Sequence, residues 1–283
     1  EKKSPLRPGG MNRGPNIFDF LELNDIAYHV SNPDRPEEDN LNELMAGIEN
    51  EGIDFAFVYW PELDGLLHRV GNQSLQVPAK LEHYQKWIQQ LVAKAEKHYD
   101  EVRLYVFSDH GMANCDEYLD LRAKIDALPV KMGKDYAVVY DSTMARFWFF
   151  NDEARRMIGE ELKKIPQGRI LPTHELKTLR AYFPDHYFGE LIYLVNEGTL
   201  IVPSHMGERP IRAMHGYHPR DKHSYAALMT NQPSVPDDIV AIPDIHKLMV
   251  RDSQEAKEAN AGLDKIIPLE TAPLNRIATS SLA

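Results

Sequence analysis

Asp109 and His110, adjacent in Ser108-Asp109-His110-Gly111-Met112, are the residues of this 283-residue chain with the plainest chemical potential. They follow directly on the apolar run Val102-Arg103-Leu104-Tyr105-Val106-Phe107, which reads as a buried strand. A carboxylate oxygen and an imidazole nitrogen at a strand's carboxyl end, where open α/β sheets keep their ligand sites, are donors that zinc or manganese takes. Successive strand side chains point to opposite faces, so the two converge on one ion only where the chain has turned, and Gly111 permits that turn. Alone, the pair fits equally well a histidine hydrogen-bonded to a carboxylate in an ordinary loop.

Two further segments carry the same donor types. The strand-like run 53–59 leads through Trp60-Pro61-Glu62-Leu63 into Asp64-Gly65-Leu66-Leu67-His68. One helical turn over 64–68 puts Asp64 and His68 on the same face, within reach of one cation. Downstream, Met214-His215-Gly216-Tyr217-His218-Pro219 presents a histidine followed at once by a backbone-flexible glycine. Any one of these segments is unremarkable in a chain with twelve histidines; all three in this order are not.

With Asp64-x-x-x-His68, SDHGM at 108–112 and His215-Gly216-Tyr217 in register, the chain resembles the alkaline phosphatase superfamily, most closely its nucleotide pyrophosphatase/phosphodiesterase branch. The resemblance runs from about residue 40 to residue 250. It implies Asp64, His68 and His215 around a first divalent ion and Asp109 and His110 around a second, with zinc expected and manganese the alternative. The activity it implies is hydrolysis of phosphodiester or nucleotide pyrophosphate bonds in a small phosphate ester or nucleotide, through a Thr or Ser nucleophile. Phosphonoacetate hydrolase or cofactor-independent phosphoglycerate mutase chemistry belongs to the same superfamily, but the HGY context fits the diesterase branch better. The reading from another class is a non-catalytic metal-binding protein.

The family's first strand, ending in a metal-binding Asp, and its nucleophile loop should precede Asp64 by a long stretch. Only about sixty residues do, opening on Glu1-Lys2-Lys3-Ser4-Pro5 without a strand-like run. The expectation is a carboxyl-terminal portion of a longer protein, lacking the nucleophile and the remaining Asp; the alternative is an intact short protein that has lost its nucleophile. Thr143, before the strand-like run Ala145–Phe150, reads as a turn residue. Ser108 belongs to the motif without being the nucleophile. His218 is a candidate metal ligand or second-layer donor and His205 a candidate pocket residue, each set against an ordinary loop position. His83, His98 and His246 fall in or at the ends of expected helices, where solvated or capping roles are the default. Tyr59, Tyr182 and Tyr217 are candidates for stacking on a nucleobase, set against the core or rim role usual for tyrosine.

The elements that must position these donors follow from periodicity. Helices are expected at 37–50, where Leu41, Leu44, Met45 and Ile48 recur at helical spacing, and at 78–97, with an apolar face of Leu81, Tyr84, Ile88, Leu91, Val92 and Ala95. With strands at 53–59 and 102–107 the second helix forms a βαβ unit of a parallel sheet. From residue 131 to 212 the character changes to short strands at 137–140, 145–150, 169–171, 191–195 and 199–202 with a helix at 152–164. The run 225–230 should return to the main sheet, and 242–250 should close it. The fold class read from this is α/β, a mainly parallel sheet flanked by helices. Its parts are a flexible lead at 1–16, a metal-binding core at 17–130 and 213–283, and a small α+β insertion at 131–212 that walls the site.

The net charge of -11 argues against stable nucleic-acid binding, which depends on many cations, so an anionic substrate would rely on the local charge of bound metal. Cys115 is the only cysteine, so no intrachain disulfide forms. That favours a cytoplasmic or periplasmic setting over a disulfide-rich extracellular one. No apolar run approaches the length of a membrane span, and neither a signal-peptide pattern nor an internal repeat is evident.

Overall fold

The computed structural model describes residues 4–11, 14–50 and 52–261. These described residues fall into two compact units, one from those within 4–62, 81–106 and 229–261, the other from 63–80 and 107–228.

In the first unit, Asn16 caps the helix Ile17–Leu23: its side chain accepts the Phe18 and Asp19 N–H groups while Asp19 takes the Asn16 N–H, a reciprocal capping box. Ile17, Phe18, Phe20 and Leu21 are buried in a core that includes Ile26, Phe57 and Met249. Strand Tyr28–Val30 pairs in parallel with Phe55–Phe57, and the helix Glu37–Asn50 is the crossover between them. A βαβ unit therefore exists, built around this helix and not around the longer one. That longer helix, Gln76–Ala95, buries Tyr84, Trp87 and Ala95, whereas Leu81, expected on its apolar face, is exposed. The Tyr84 hydroxyl bridges both carboxylate oxygens of buried Glu37 at 2.7 and 2.8 Å, and Glu37 also accepts the Glu62 N–H at 2.8 Å.

The second unit is built on a four-stranded antiparallel sheet, ordered Tyr136–Tyr140, Met144–Phe149, Leu191–Val195 and Gly168–Ile170. Helix Asp152–Leu162, capped by the Asn151 side chain, covers it with Ala154, Ile158 and Leu162 at four-residue spacing, against Phe147 and Tyr193. Two smaller pairs adjoin in sequence: Thr199–Ile201 parallel to Glu117–Leu119, and Ala213–Met214 antiparallel to Ala113–Asn114.

The expectation of one mainly parallel sheet is corrected accordingly. Among the described residues the parallel pairs are three residues long, and the largest sheet is antiparallel. The reason is local: Asp141-Ser142-Thr143 suffices to join two antiparallel strands, while every parallel pair needs a long crossover. The compact units also group the ligand-bearing segments with residues 131–212, a different division from the one drawn on the sequence.

Candidate metal centre

Asp64 and His68 lie one turn apart on the helix Glu62–Val70, with His68 Nε2 3.3 Å from Asp64 Oδ2. The His68 Nδ1 lies 2.8 Å from the Ala213 carbonyl, so that nitrogen carries the proton and donates it, leaving the Nε2 lone pair for an ion. The Arg212 N–H donates to the His68 carbonyl at 3.0 Å. The helix is thereby tied to the strand that delivers His215.

His110 repeats the device, with Nδ1 2.9 Å from the Gly111 carbonyl and Nε2 3.4 Å from Asp109 Oδ1. Asp109 is the most open of the five donors, its side chain 69% exposed. Gly111 is required here by close approach: a Cβ would sit 2.1 Å from the His223 carbonyl oxygen and 2.8 Å from that of Tyr225. Two asparagines lace the segments together. Asn114 Oδ1 accepts the Asn72 N–H at 2.9 Å, and the Asn72 amide donates to the Met112 carbonyl at 3.2 Å.

Donor atoms of Asp64, His110 and His215 lie within 4.8 Å of one another. The His110 and His215 rings stack with centroids 3.7 Å apart, and His215 Nε2 lies 3.8 Å from Asp64 Oδ1. That oxygen is buried and has no hydrogen-bond partner, an arrangement a cation would satisfy. Burial, reinforced by the neighbouring His110, lowers the His215 pKa below its ordinary value and keeps the ring neutral, the form that ligates. The donor set therefore fits a divalent ion. It also departs from the grouping the resemblance implied, since the tightest trio contains His110 where His68 was expected; His68 reaches the same carboxylate through its other oxygen.

Most of the remaining candidates have structural partners. Thr143 is buried and donates its hydroxyl to the Gly216 carbonyl at 2.9 Å, so it holds the HGY loop from below. His218 Nε2 lies 3.0 Å from Glu175 Oε1 while its Nδ1 accepts the Arg220 N–H, which commits both nitrogens. His205 Nδ1 accepts the Tyr140 N–H at 2.9 Å. Tyr217 is buried and donates to the Thr199 carbonyl at 2.9 Å, a core role and not a stacking one. The Ser108 hydroxyl accepts the Ala227 N–H. His98 caps its helix through the Lys94 carbonyl, His83 packs on Trp87, and the Lys177 ammonium sits over the Tyr182 ring. Asn72, Asn114 and Glu175 escaped the sequence reading, because a polar residue whose partners lie in distant segments leaves no spacing pattern.

The fold has solved likenesses. Murine ectonucleotide pyrophosphatase/phosphodiesterase 5, as an inactive variant in complex with AMP, superposes with a TM-score of 0.68 at 15% identity, covering 88% of this chain and 70% of that one. The human protein of that name gives 0.68 at 14% identity over 83% and 69%. Phosphonoacetate hydrolase from Sinorhizobium meliloti, in complex with phosphonoformate, gives 0.56 at 14% over 75% and 55%. These likenesses show the class of fold, an alkaline-phosphatase-like one. The family model for type I phosphodiesterase / nucleotide pyrophosphatase matches residues 17–218, and the chain belongs to that family. No curated protein matches its sequence.

Proposed function

We propose that this chain is a metal-dependent hydrolase of phosphodiester or nucleotide pyrophosphate bonds. Asp64, His68 and His215 serve one divalent ion, and Asp109 and His110 serve a second. The observation that carries the reading is the unpartnered Asp64 oxygen facing His215, beside His68 and His110 rings whose Nδ1 protons are already committed to carbonyls. Zinc suits this mixed carboxylate and imidazole set, and manganese is the alternative. Such ions would supply Lewis acidity to phosphoryl oxygens and lower the pKa of an attacking hydroxyl.

The chain's own residues contribute placement. His68 and His110 present Nε2 in fixed tautomers, Asp64 stands between the two donor groups, and neutral His215 faces both. A cavity of about 260 Å³ beside His68, lined among others by Ser142, Val202, Met206, Arg209 and Met214, suits the substrate's leaving group, with Arg209 supplying positive charge. All but His68 and Met214 of these come from segment 131–212, the proposed insertion. The attacking hydroxyl is not assigned within the chain, since Thr143 and Ser108 both serve backbone groups.

The test assays the zinc-loaded protein on bis-aryl phosphate, mono-aryl phosphate and phosphonoacetate. The expected outcome is that the diester is cleaved much faster than either of the others. Preferential release of phosphate from phosphonoacetate, the chemistry of the second structural likeness, would replace this reading. Metal uptake without cleavage of any of the three would leave a binding protein.

A further inference from the structure

Glu197 lies in the turn Asn196-Glu197-Gly198 between strands Leu191–Val195 and Thr199–Ile201, and it is not one of the metal donors. Both its carboxylate oxygens are spent on one residue. Oε2 accepts the His223 backbone N–H at 3.0 Å, and Oε1 lies 2.6 Å from His223 Nδ1. Two bonds to one residue fix its orientation as well as its position. Partial burial works to raise the carboxyl's pKa, but the His223 ring and N–H outweigh it and hold it below the ordinary range.

His223 opens a stretch of backbone that runs beside the Asp109-His110 segment like a splint. The Gly111 N–H donates to the Ser224 carbonyl at 3.3 Å, and the Ser108 N–H to the Ala227 carbonyl at 3.0 Å. The Ala227 N–H returns a bond to the Ser108 hydroxyl at 2.9 Å. The carbonyls of His223 and Tyr225 approach Gly111 so closely that no side chain fits. The Gly111 carbonyl in turn accepts from His110 Nδ1. From Glu197 to the His110 ring the path is therefore continuous: carboxylate, His223, the 223–227 backbone, Gly111, imidazole.

We infer that Glu197 is a positioning residue for the Asp109-His110 half of the metal centre, acting through His223. The inference rests on the proposed metal reading for its function but on hydrogen bonds alone for its mechanics, so the two are tested separately. Glu197→Ala and Glu197→Gln would be compared with the parent and with Glu190→Ala. The control removes a carboxylate that also bonds a backbone N–H, that of Phe149, and pairs with Arg155, but does not touch the splint.

In the metal-free chain, amide hydrogen exchange at Gly111 and Ser108 should quicken roughly tenfold in Glu197→Ala and not in Glu190→Ala. Zinc affinity, read by competition with a chromophoric chelator, should weaken by about tenfold in Glu197→Ala, as for other residues that orient ligands, and less in Glu197→Gln, which keeps one acceptor. Unchanged zinc affinity in Glu197→Ala, or an equal loss in Glu190→Ala, overturns the inference. Should the parent take up no zinc, the metal reading falls, and unchanged Gly111 exchange in Glu197→Ala then overturns the positioning role by itself.

Discussion

The two halves of the candidate centre are held by different means. Asp64 and His68 ride on a regular helix, where four-residue spacing alone aligns them, and a single side-chain bond to the Ala213 carbonyl orients the imidazole. Asp109 and His110 sit on an irregular turn after a strand, and their placement depends on glycine, on a backbone splint and on residues far away in sequence. Regular structure carries its own geometry, whereas a loop site must import it. The first half should therefore tolerate changes around its donors, and the second should not.

The largest effect is expected at the donors themselves. Asp64→Ala or His215→Ala should remove about one bound metal and abolish activity while leaving the urea midpoint nearly unchanged, because half-exposed ligands contribute little to core packing. Asp109→Ala, whose carboxylate is the most open of the five, should weaken metal uptake without eliminating an equivalent. Metal analysis of the dialysed variants checks both. Full metal content in Asp64→Ala and His215→Ala together would remove the assignment.

The two glycines next to donors make the contrast sharper. Gly111→Ala drives a methyl into two carbonyl oxygens at 2.1 and 2.8 Å, so the 223–225 backbone must move. Overpacking of this kind costs about 1–3 kcal/mol, and here it should be accompanied by weaker zinc binding. Gly65, inside the Asp64 helix, would meet only the flexible end of Arg69 at 3.2 Å. Gly65→Ala should stabilise by roughly 0.5–1 kcal/mol, the usual gain of alanine over glycine in a helix. Denaturation with zinc titration on both variants checks the opposite signs, and equal destabilisation would show that the two halves are held alike.

What was legible in the sequence follows the same line. The helical turn at 64–68, the helix 37–50 and the paired strands around Thr143 were readable because their information is local periodicity. The five candidate donors can be nominated from the sequence because they stand in recognisable words. Sheet arrangement was not: whether Phe55–Phe57 pairs with Tyr28–Val30 or with Tyr105–Phe107 depends on tertiary competition among short strands that look alike. The supports were invisible for another reason. Glu197 and Asn114 act on backbone groups of segments distant in sequence, and any carboxylate or amide at a turn has the same local appearance. The glycines at 111 and 216 mark backbone freedom in the sequence, but neither says that a carbonyl or a hydroxyl packs against it.

The smallest expected effect concerns a third support, the clasp on His218 just past the HGY loop. Arg169 donates twice to Glu175, at 2.6 Å each, and His218 Nε2 lies 3.0 Å from the same carboxylate. The Arg169 guanidinium chiefly, with His218 assisting, pulls the Glu175 pKa down from 4.5 to about 2. A carboxyl whose folded pKa is depressed contributes stability that is fully present above its unfolded value and is lost as pH falls through the folded one. Glu175→Gln should accordingly be slightly less stable than the parent at neutral pH. The gap should narrow below pH 4.5 and close near pH 2, since the other carboxylates cancel in the difference. Because the Arg169 end of the clasp is half exposed and screened by solvent, the gap should be a few tenths of a kcal/mol to about 1 kcal/mol. Paired urea titrations across that range measure it. A gap that stays constant with pH would mean Glu175 supports the loop by shape and hydrogen bonding, not by charge, and would place this clasp with the splint of Glu197 and not with the charged surface pairs.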